Sequence, residues 1–316
     1  MSSLIEQAAL RLEQLRQAGA VMPDDSYLQP RGGISSETQP PQVVPPAKSA
    51  EPAKPAEPAH PLSSRVELDL DALEAQGFLT PKAARSTLAD QYRVVKRPLI
   101  QNAMGRGAAT LNHANLIMVT SALAGEGKSF TALNLALSIA AEQDNTVMLV
   151  DADVARPSVL RMLGLPNGPG LLDVLENSVD MASVMLRTNV DKLTLLPSGT
   201  PHARATELLA SDAMCTLLEN MAKRYPDRII IFDSPPLLLT TEARVLASHM
   251  GQIVMVVHAE RTAQSAVLQA LATIEACPLK MLLLNQASGN ASGSYGYGYG
   301  YGYGYGYGSG SETAKS

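Results

Sequence analysis

Residues 116–129 of the chain read LIMVTSALAGEGKS. An apolar run comes first, a turn with two glycines follows, and Lys128 opens a predicted helix over 128–142. A strand, a glycine turn and a helix in this order aim backbone N–H groups and a helix N-terminus at one anion. The stretch therefore predicts a phosphate-binding loop, although Ala122 stands where the usual pattern has its first glycine.

Short apolar strands alternate with amphipathic helices from this loop onward. Strands are predicted at 116–120, 146–150, 193–196, 228–232, 252–257 and 280–284, and helices at 206–223, 241–249 and 262–276. Strands that are apolar throughout are typical of a parallel sheet covered on both faces. We expect an α/β fold of the P-loop NTPase type, with a mostly parallel sheet, helices on both faces and flexible N- and C-terminal extensions. Ligands in such folds bind beyond the carboxyl ends of the strands.

Aspartates follow two of the predicted strands. Asp151 and Asp153 come after one strand, and Asp233 comes after another. Carboxylates at such positions converge on the phosphate loop, where they can hold Mg²⁺ and its waters or orient a nucleophilic hydroxyl. Within the loop, Lys128 is expected to reach the terminal phosphates of ATP and Ser129 to ligate Mg²⁺.

The composition argues against several other classes of protein. The 316 residues are 46% hydrophobic, and 25 basic and 30 acidic residues give a formal charge of −5. This balance disfavours a broadly basic surface, and we predict no nucleic-acid partner. Cys215 and Cys277 stand alone, without a CxxC pair, and are predicted to be reduced core residues rather than zinc ligands or a disulfide.

Two further signals are missing from the sequence. No apolar run approaches the roughly 20 residues of a membrane-spanning helix. The N-terminus lacks the positive start and apolar run of a signal peptide. The sequence therefore predicts a cytoplasmic chain that reaches a membrane only by recruitment.

The segments around the α/β domain, which we place at 65–288, differ in composition. Residues 1–18 carry apolar side chains at helical spacing and predict a short amphipathic helix, which could dock on its own domain, a partner or a membrane surface; its mixed charge weakens the membrane option. Residues 19–64 include a Pro-rich run and predict a disordered linker. Two helical segments, at 66–78 and 81–96, then open the domain.

Residues 289–316 form a tail in which tyrosine alternates with glycine. One interpretation is a low-complexity, flexible tail without chemistry. The other is that its phenol hydroxyls accept phosphoryl groups, because flanking glycines let any ring enter a narrow site. The tyrosines concerned are Tyr295, Tyr297, Tyr299, Tyr301, Tyr303, Tyr305 and Tyr307.

Three motifs together resemble a known family. The phosphate loop GEGKS at 125–129, the segment VDADVARP at 150–157 and FDSPP at 232–236 resemble the bacterial tyrosine kinases of exopolysaccharide biosynthesis. The Tyr-rich end fits the same family, and the N-terminal segments resemble its exosortase-associated, chain-length-determinant autokinase branch. The resemblance implies an ATP- and Mg²⁺-dependent protein-tyrosine kinase on a fold related to partitioning ATPases.

The resemblance also implies roles for individual residues. The catalytic residues would be Lys128, Asp151, Asp153 and Asp233, with Asp153 accepting or orienting the tyrosine proton. Mg²⁺ would be held by Ser129, Asp151 and Asp233. The nucleotide would be bound by Gly125, Glu126, Gly127, Lys128, Ser129, Phe130 and Arg156. For Arg156, pairing with a neighbouring carboxylate is an equal alternative.

A charged segment, Asp90-x-x-Arg93-x-x-Lys96, resembles the family's Glu-x-x-Arg-x-x-Arg oligomerisation motif, although Lys lacks the bidentate fork of Arg. The spacing predicts three side chains along one helical face. An ordinary solvated charged face is the alternative. The resemblance implies a homo-oligomer, in a ring-like assembly, and an inner-membrane polysaccharide co-polymerase that activates the kinase and recruits it to the inner membrane face. It also implies a protein-tyrosine phosphatase and sugar-pathway substrates as further partners.

The leading hypothesis is an ATP-dependent protein-tyrosine autokinase that phosphorylates its C-terminal tyrosine cluster in trans and regulates exopolysaccharide chain length, polymerisation or export. The alternative is a partitioning-type regulatory ATPase without kinase activity. Such proteins usually carry a second lysine early in the phosphate loop, where this chain has Leu123. A third interpretation is a nucleotide-binding scaffold whose tail only mediates association.

Overall fold

The structure is a computed structural model that describes residues 63–83, 85–107, 110–176, 178–224 and 227–287. The predicted N-terminal helix, nearly all of the Pro-rich linker and the Tyr/Gly tail lie outside these residues, and the domain bounds 65–288 stay a prediction.

The described residues contain one sheet of eight strands. The strands are β1 (Ser64–Val66), β2 (Leu116–Ser121), β3 (Thr146–Asp151), β4 (Leu186–Thr188), β5 (Leu193–Leu196), β6 (Arg228–Asp233), β7 (Gln252–His258) and β8 (Lys280–Asn285). Their order across the sheet is β1-β4-β5-β3-β6-β2-β7-β8. Every pair is parallel except β4 with β5, which is antiparallel. The mostly parallel α/β sheet predicted from the sequence is therefore confirmed.

Helices cover both faces of the sheet. They are α1 (Leu70–Ala75), α2 (Thr87–Ala103), α3 (Lys128–Ala140), α4 (Val159–Met162), α5 (Leu171–Leu175), α6 (Met181–Val184), α7 (Ala205–Leu209), α8 (Asp212–Arg224), α9 (Glu242–Ser248) and α10 (Gln264–Ala272), with a 3₁₀ turn at Pro81–Ala83. One aliphatic core packs α2 and α3 against the sheet, and a second packs α8, α9 and α10 against the opposite face.

The start of the domain differs from the sequence prediction. Instead of a helix over 66–78, the chain makes the short strand β1 and then α1, which begins at Leu70 because the Asp69 carboxylate accepts a hydrogen bond from the Ala72 N–H (2.9 Å). The predicted helix over 81–96 also changes. Its first residues form the 3₁₀ turn, and α2 begins after Ser86, whose hydroxyl caps the Ala89 N–H (3.1 Å).

The predicted helix over 206–223 is two helices, α7 and α8. The break falls at Ala210 and Ser211, where the Ser211 hydroxyl accepts a hydrogen bond from the Met214 N–H (3.3 Å) and so starts a new helix. A serine that bonds nearby backbone competes with helix continuation. The short strand β4 was not predicted, because three residues carry too little pattern to distinguish it.

The length and hydropathy of the helices decide whether any of them could cross a membrane. Among the described residues, no helix is both long and apolar enough to cross a bilayer.

Candidate nucleotide and phosphoryl-transfer site

The phosphate loop joins the end of β2 to the start of α3. Gly125 and Gly127 have φ angles of 84° and 93°, in the left-handed region that glycine adopts without a steric penalty. Gly127 is also crowded, because a Cβ there would lie 2.1 Å from the Asn285 amide nitrogen. Both glycines are therefore needed for the loop to keep its shape.

Glu126 braces this loop from within. Its side chain is 2% exposed, and Oε2 accepts a hydrogen bond from the Leu123 N–H at 2.7 Å. Oε1 accepts a hydrogen bond from the Thr262 hydroxyl. The Asn285 amide donates to the Glu126 backbone carbonyl at 3.0 Å. The Glu126 carboxylate therefore ties the loop to segments that follow β7, while Asn285 at the end of β8 holds its backbone.

The strand-end carboxylates meet at the carboxyl end of the sheet, as their positions predicted. Asp151 and Asp233 lie side by side in register on β3 and β6, and they are 1% and 0% exposed. Asp151 Oδ2 accepts hydrogen bonds from the backbone N–H groups of Ser158 and Val159, both at 3.0 Å. These bonds anchor the start of α4 to the end of β3.

Lys128 is held among these carboxylates. Its Nζ lies 2.7 Å from Asp153 Oδ2 and 3.8 Å from Asp233 Oδ1. Burial alone would lower the pKa of Lys128, but Asp233 and Asp153 outweigh it and raise the pKa above its ordinary value. The site therefore contains a charged ammonium at the place where the loop predicts phosphates.

The two buried aspartates have pKa values above that of a solvated aspartate. Burial and the nearby charge of Asp233 raise the pKa of Asp151 to about 7. Burial raises the pKa of Asp233 to about 6, although Lys128 opposes the shift. Two neighbouring carboxylates repel each other when both are ionised, and burial removes the water that would stabilise their charges. A bound cation would relieve this repulsion.

The oxygens around the loop fit Mg²⁺. Asp151 Oδ1 and Asp233 Oδ1 are buried and accept no hydrogen bond from the described part of the chain. Oxygen atoms of this kind are the ligands that Mg²⁺ prefers, usually together with water and phosphate oxygens. The described residues contain no cluster of three acidic, His or Cys side chains that would enclose a metal alone. The residues therefore suit an ion that completes its shell with nucleotide and water.

A cavity of about 560 Å³ opens in front of the loop, and we name it the nucleotide cavity. Of the predicted site residues, it is lined by Gly125, Gly127, Lys128, Ser129, Phe130, Asp153 and Arg156. Phe130 also packs against Phe78, with ring centroids 5.1 Å apart. The structure thus brings most of the predicted nucleotide residues together, whereas the Glu126 side chain points into the protein.

Comparisons with known proteins agree with this geometry. A family model named ParA, described as the NUBPL iron-transfer P-loop NTPase, matches residues 112–282. Tyrosine-protein kinase YwqD of Bacillus subtilis (strain 168) is 31% identical over 198 residues, which cover 63% of this chain and 80% of YwqD. The chain belongs to the bacterial tyrosine-kinase family, within the ParA-like P-loop NTPases.

A second relative and a solved structure are also similar to the chain. The succinoglycan biosynthesis transport protein ExoP of Rhizobium meliloti (strain 1021) is 31% identical over 218 residues, which cover 67% of this chain and 27% of ExoP. The kinase domain of the Escherichia coli tyrosine kinase ETK superposes with a TM-score of 0.58 at 24% identity, covering 76% of this chain and 94% of that domain. The ETK likeness shows the fold alone.

The charged segment that resembles the oligomerisation motif of the tyrosine-kinase family lies on α2. Asp90 is exposed and forms an ion pair with Arg93. Lys96 is 5% exposed, and its Nζ lies 2.5 Å from the Ser138 carbonyl oxygen and 2.7 Å from Glu142 Oε1. The three side chains therefore do not form one exposed face, and their part in oligomerisation stays a prediction.

Several residues of the site were not predicted from the sequence. Ser158 bonds both aspartates, through its N–H to Asp151 and through its hydroxyl to Asp233 Oδ2 (3.4 Å). Arg161 lines the nucleotide cavity from α4. The amide of Asn285, at the end of β8, donates a hydrogen bond to the phosphate loop. The sequence offered one signal for such residues, a polar residue directly after a strand or a proline, and this signal does not identify the hydrogen-bond partner.

Proposed function

We propose that the chain is an ATP- and Mg²⁺-dependent protein-tyrosine autokinase that transfers the γ-phosphoryl group of ATP to tyrosines of its own C-terminal tail. The observation that carries the proposal is the pairing of Lys128 with Asp153 beside two buried carboxylate oxygens that accept no hydrogen bond from the described residues, at the mouth of a phosphate loop. Phosphoryl transfer needs a cation that binds the phosphates, oxygen atoms that hold the metal ion and a carboxylate that orients the acceptor hydroxyl.

Each residue has a defined task in this proposal. The loop N–H groups and Lys128 bind the phosphates, and Ser129, Asp151 and Asp233 hold Mg²⁺, which when bound offsets charge on the phosphate oxygens. Asp153 accepts a hydrogen bond from the acceptor hydroxyl and orients it. A phenol has a pKa near ~10, so positioning and electrostatics supply most of the rate enhancement rather than outright proton removal.

The acceptors are the tail tyrosines, Tyr295 to Tyr307. The sequence places them at alternate positions with glycine between them. By contrast, Tyr92 lies on α2, faces the core and is 6% exposed, so it is not available as an acceptor. Transfer to a neighbouring copy of the chain is consistent with a tail of this length.

The biological setting is proposed from the relatives. ExoP bears the name of a succinoglycan transport protein, which supports a role in exopolysaccharide chain length, polymerisation or export. We also propose that an inner-membrane polysaccharide co-polymerase activates the kinase and recruits it from the cytoplasm to the inner membrane face. A homo-oligomer, a phosphatase and sugar-pathway substrates complete the proposal.

The alternative, a partitioning-type regulatory ATPase, is less well supported. Leu123 occupies the place where those proteins usually carry a second lysine, and it is 39% exposed and neutral.

A phosphotyrosine assay tests the proposed function. The full chain, Lys128→Met and the control Lys223→Met are incubated with ATP and Mg²⁺, and phosphotyrosine is mapped by mass spectrometry. Lys223 is a suitable control because its side chain is 70% exposed and forms a local ion pair with Glu219. We expect tail phosphotyrosine in the full chain and in Lys223→Met, and none in Lys128→Met. Equal phosphorylation of all three, or none in any, would contradict the proposal.

A further inference from the structure

Strand β8 forms one edge of the sheet. Among the described residues it pairs with β7 alone, in a parallel register. The Asn285 carbonyl accepts a hydrogen bond from the Ala259 N–H, just after β7, at 2.8 Å. Because the backbone groups of successive strand residues point to opposite sides, the N–H and C=O groups of Leu284 and Leu282 point away from β7. They face the open edge, where a further strand could bond them.

The side chains of β8 are apolar on both faces of the sheet. Met281 and Leu283 pack against the core that contains α2 and α3. Leu282 and Leu284 project from the opposite face and are 58% and 66% exposed. Leu282 lies in register with Met255 of β7, which is buried in the other core. The edge of the sheet therefore leaves two large apolar side chains uncovered by the described residues.

The protection that edge strands usually have does not reach this part of β8. Natural sheets protect an edge with lysine, other charges or proline, and residues 281–284 contain none of these. Lys280 begins the strand, but its Nζ donates hydrogen bonds to the carbonyl oxygens of Cys277 (2.7 Å) and Glu275 (3.3 Å). The ammonium is therefore held at the turn before β8, and the stretch after it can accept another strand.

The chain leaves β8 beside this open edge. Gln286 has a φ of 57°, which is uncommon for a residue with a side chain and typical of a turn. The described residues end at Ala287. Residues 288–294 consist of serine, glycine, asparagine and alanine, and the first three of these residue types favour turns. The tail thus begins next to β8 with a sequence that suits a reversal of the chain.

The tail has the sequence period of a strand. From Tyr295 to Tyr307 every second residue is tyrosine, and glycine stands between. Successive side chains of a strand point to opposite faces, so this segment as a strand would carry its rings on one face alone. Tyrosine is enriched in strands, and rings that face aliphatic side chains across a pair of strands stabilise the pair.

We propose that the unphosphorylated tail folds back on its own domain and pairs with the open edge of β8 as an antiparallel strand, with tyrosine rings over Leu282 and Leu284. Residues 286–294 form the loop of this hairpin. The added strand bonds the outward backbone groups of β8 and covers the exposed leucines. Its glycines lose much backbone entropy on ordering, so the docked tail exchanges with a free one.

The occupant of the edge is the chain's own tail rather than a second copy of the chain. The tail is tethered directly beside β8, and a short flexible tether gives an effective concentration in the millimolar range. A second copy at micromolar concentration competes poorly with a tethered strand. The seven tyrosines at alternate positions also allow several registers, which favours pairing further.

Docking would regulate the proposed kinase, and this consequence rests on the proposed function. A tyrosine that is paired at β8 is withheld from the nucleotide cavity of every copy. Each phosphoryl group adds a charge of about −1.5 to −2, which cannot lie over two leucines without a large desolvation cost. Release of the tail therefore precedes transfer, and phosphorylation prevents its return to the edge.

Limited proteolysis with chymotrypsin, which cleaves after tyrosine, tests the docking. The full chain is treated with a tyrosine phosphatase and kept without ATP, so kinase activity does not enter the measurement. We expect Leu282→Ser combined with Leu284→Ser to speed cleavage within 295–307 about tenfold, because cleavage tracks the population of the open form. Leu268→Ser is the control, since it changes a leucine that is 60% exposed on α10, and it should leave the cleavage rate unchanged.

Hydrogen exchange measures the same docking from the side of the sheet. In the full chain, the amides of Leu282 and Leu284 should exchange about tenfold more slowly than in a full chain whose seven tail tyrosines are replaced by alanine. Exchange in β2 should be equal in both proteins, which shows that both are folded.

The outcomes separate this inference from the proposed function. Equal tail cleavage in the native chain, the double variant and Leu268→Ser overturns the docking, and so does equal exchange at β8. Protection of β8 that increases with protein concentration also overturns it, because a second copy then covers the edge. Phosphotyrosine formation is measured separately, so a failure of the proposed function is distinguishable from a failure of the docking.

Discussion

Lys128 and Asp153 are joined by an ion pair of 2.7 Å whose side chains are 12% and 6% exposed. Lys128, which is expected to bind the phosphates of ATP, is thus held by Asp153, which is expected to bind the acceptor hydroxyl. Phosphate oxygens would compete with Asp153 for Lys128. Nucleotide binding and release of the Asp153 carboxylate are therefore linked in this account.

The first prediction concerns this pair. Lys128→Met leaves three buried carboxylates without their ammonium, so the nucleotide-free protein should lose about 3 kcal/mol of unfolding free energy. Asp153→Asn should cost less, because Asp233 remains 3.8 Å from the Lys128 ammonium. Urea denaturation of both variants measures the difference. A smaller loss in Lys128→Met than in Asp153→Asn would contradict the placement of charge described above.

The second prediction is a pH dependence at Asp151. Its pKa in the folded protein is about 7, above the ~3.9 of an unfolded chain. The folded state therefore binds more protons between these values, and raising the pH from about 4 to about 7 lowers its stability. Asp151→Asn removes this titration, and it should stabilise the nucleotide-free protein at pH 8 by on the order of 2 kcal/mol, with little effect at pH 5.

Chemical denaturation at the two pH values measures this difference. Asp191→Asn changes the same functional group at an exposed position and serves as the control. A stability gain of equal size at pH 5 and pH 8 would show that packing, rather than the buried charge, is responsible.

The third prediction concerns the brace inside the phosphate loop. Glu126→Ala removes the acceptor for the Leu123 N–H and the Thr262 hydroxyl. The loop should lose its shape, and the affinity for ATP should fall about tenfold, in line with the loss of one or two buried hydrogen bonds. Thr262→Val removes one of the two contacts and should have a smaller effect. Isothermal titration calorimetry measures the affinity for ATP. An unchanged affinity in Glu126→Ala would contradict the proposed role of Glu126 in holding the loop.

These residues show what the sequence could and could not predict. The phosphate loop and the positions of Asp151 and Asp233 were predictable, because each lies in one continuous stretch beside an apolar strand. The partner of Glu126 was not, since Thr262 lies far along the chain and the two meet only after β2 and β7 pair. Lys96 was assigned to a surface motif for a similar reason, because its bond to Ser138 appears only when α2 packs on α3.

The fourth prediction separates the two cations of α2. Lys96→Ala should destabilise the fold by about 3 kcal/mol, because Glu142 and the Ser138 carbonyl then lose a buried partner. Arg93→Ala should change stability by less than about 1 kcal/mol, because its pair with Asp90 is exposed. If this segment also mediates assembly, Arg93→Ala should lower the oligomer mass in light scattering while its denaturation midpoint stays unchanged. A larger stability loss in Arg93→Ala than in Lys96→Ala would contradict the structure.

The most direct test of autophosphorylation in trans mixes two full-length variants. One is Lys128→Met, which retains its tail tyrosines but lacks the phosphate-binding ammonium. The other retains Lys128 and has all seven tail tyrosines, Tyr295 to Tyr307, replaced by alanine. After incubation with ATP and Mg²⁺, mass spectrometry measures phosphotyrosine on the Lys128→Met tail. We predict phosphorylation of that tail in the mixture and in neither variant alone, and an unmodified tail in the mixture would contradict the account.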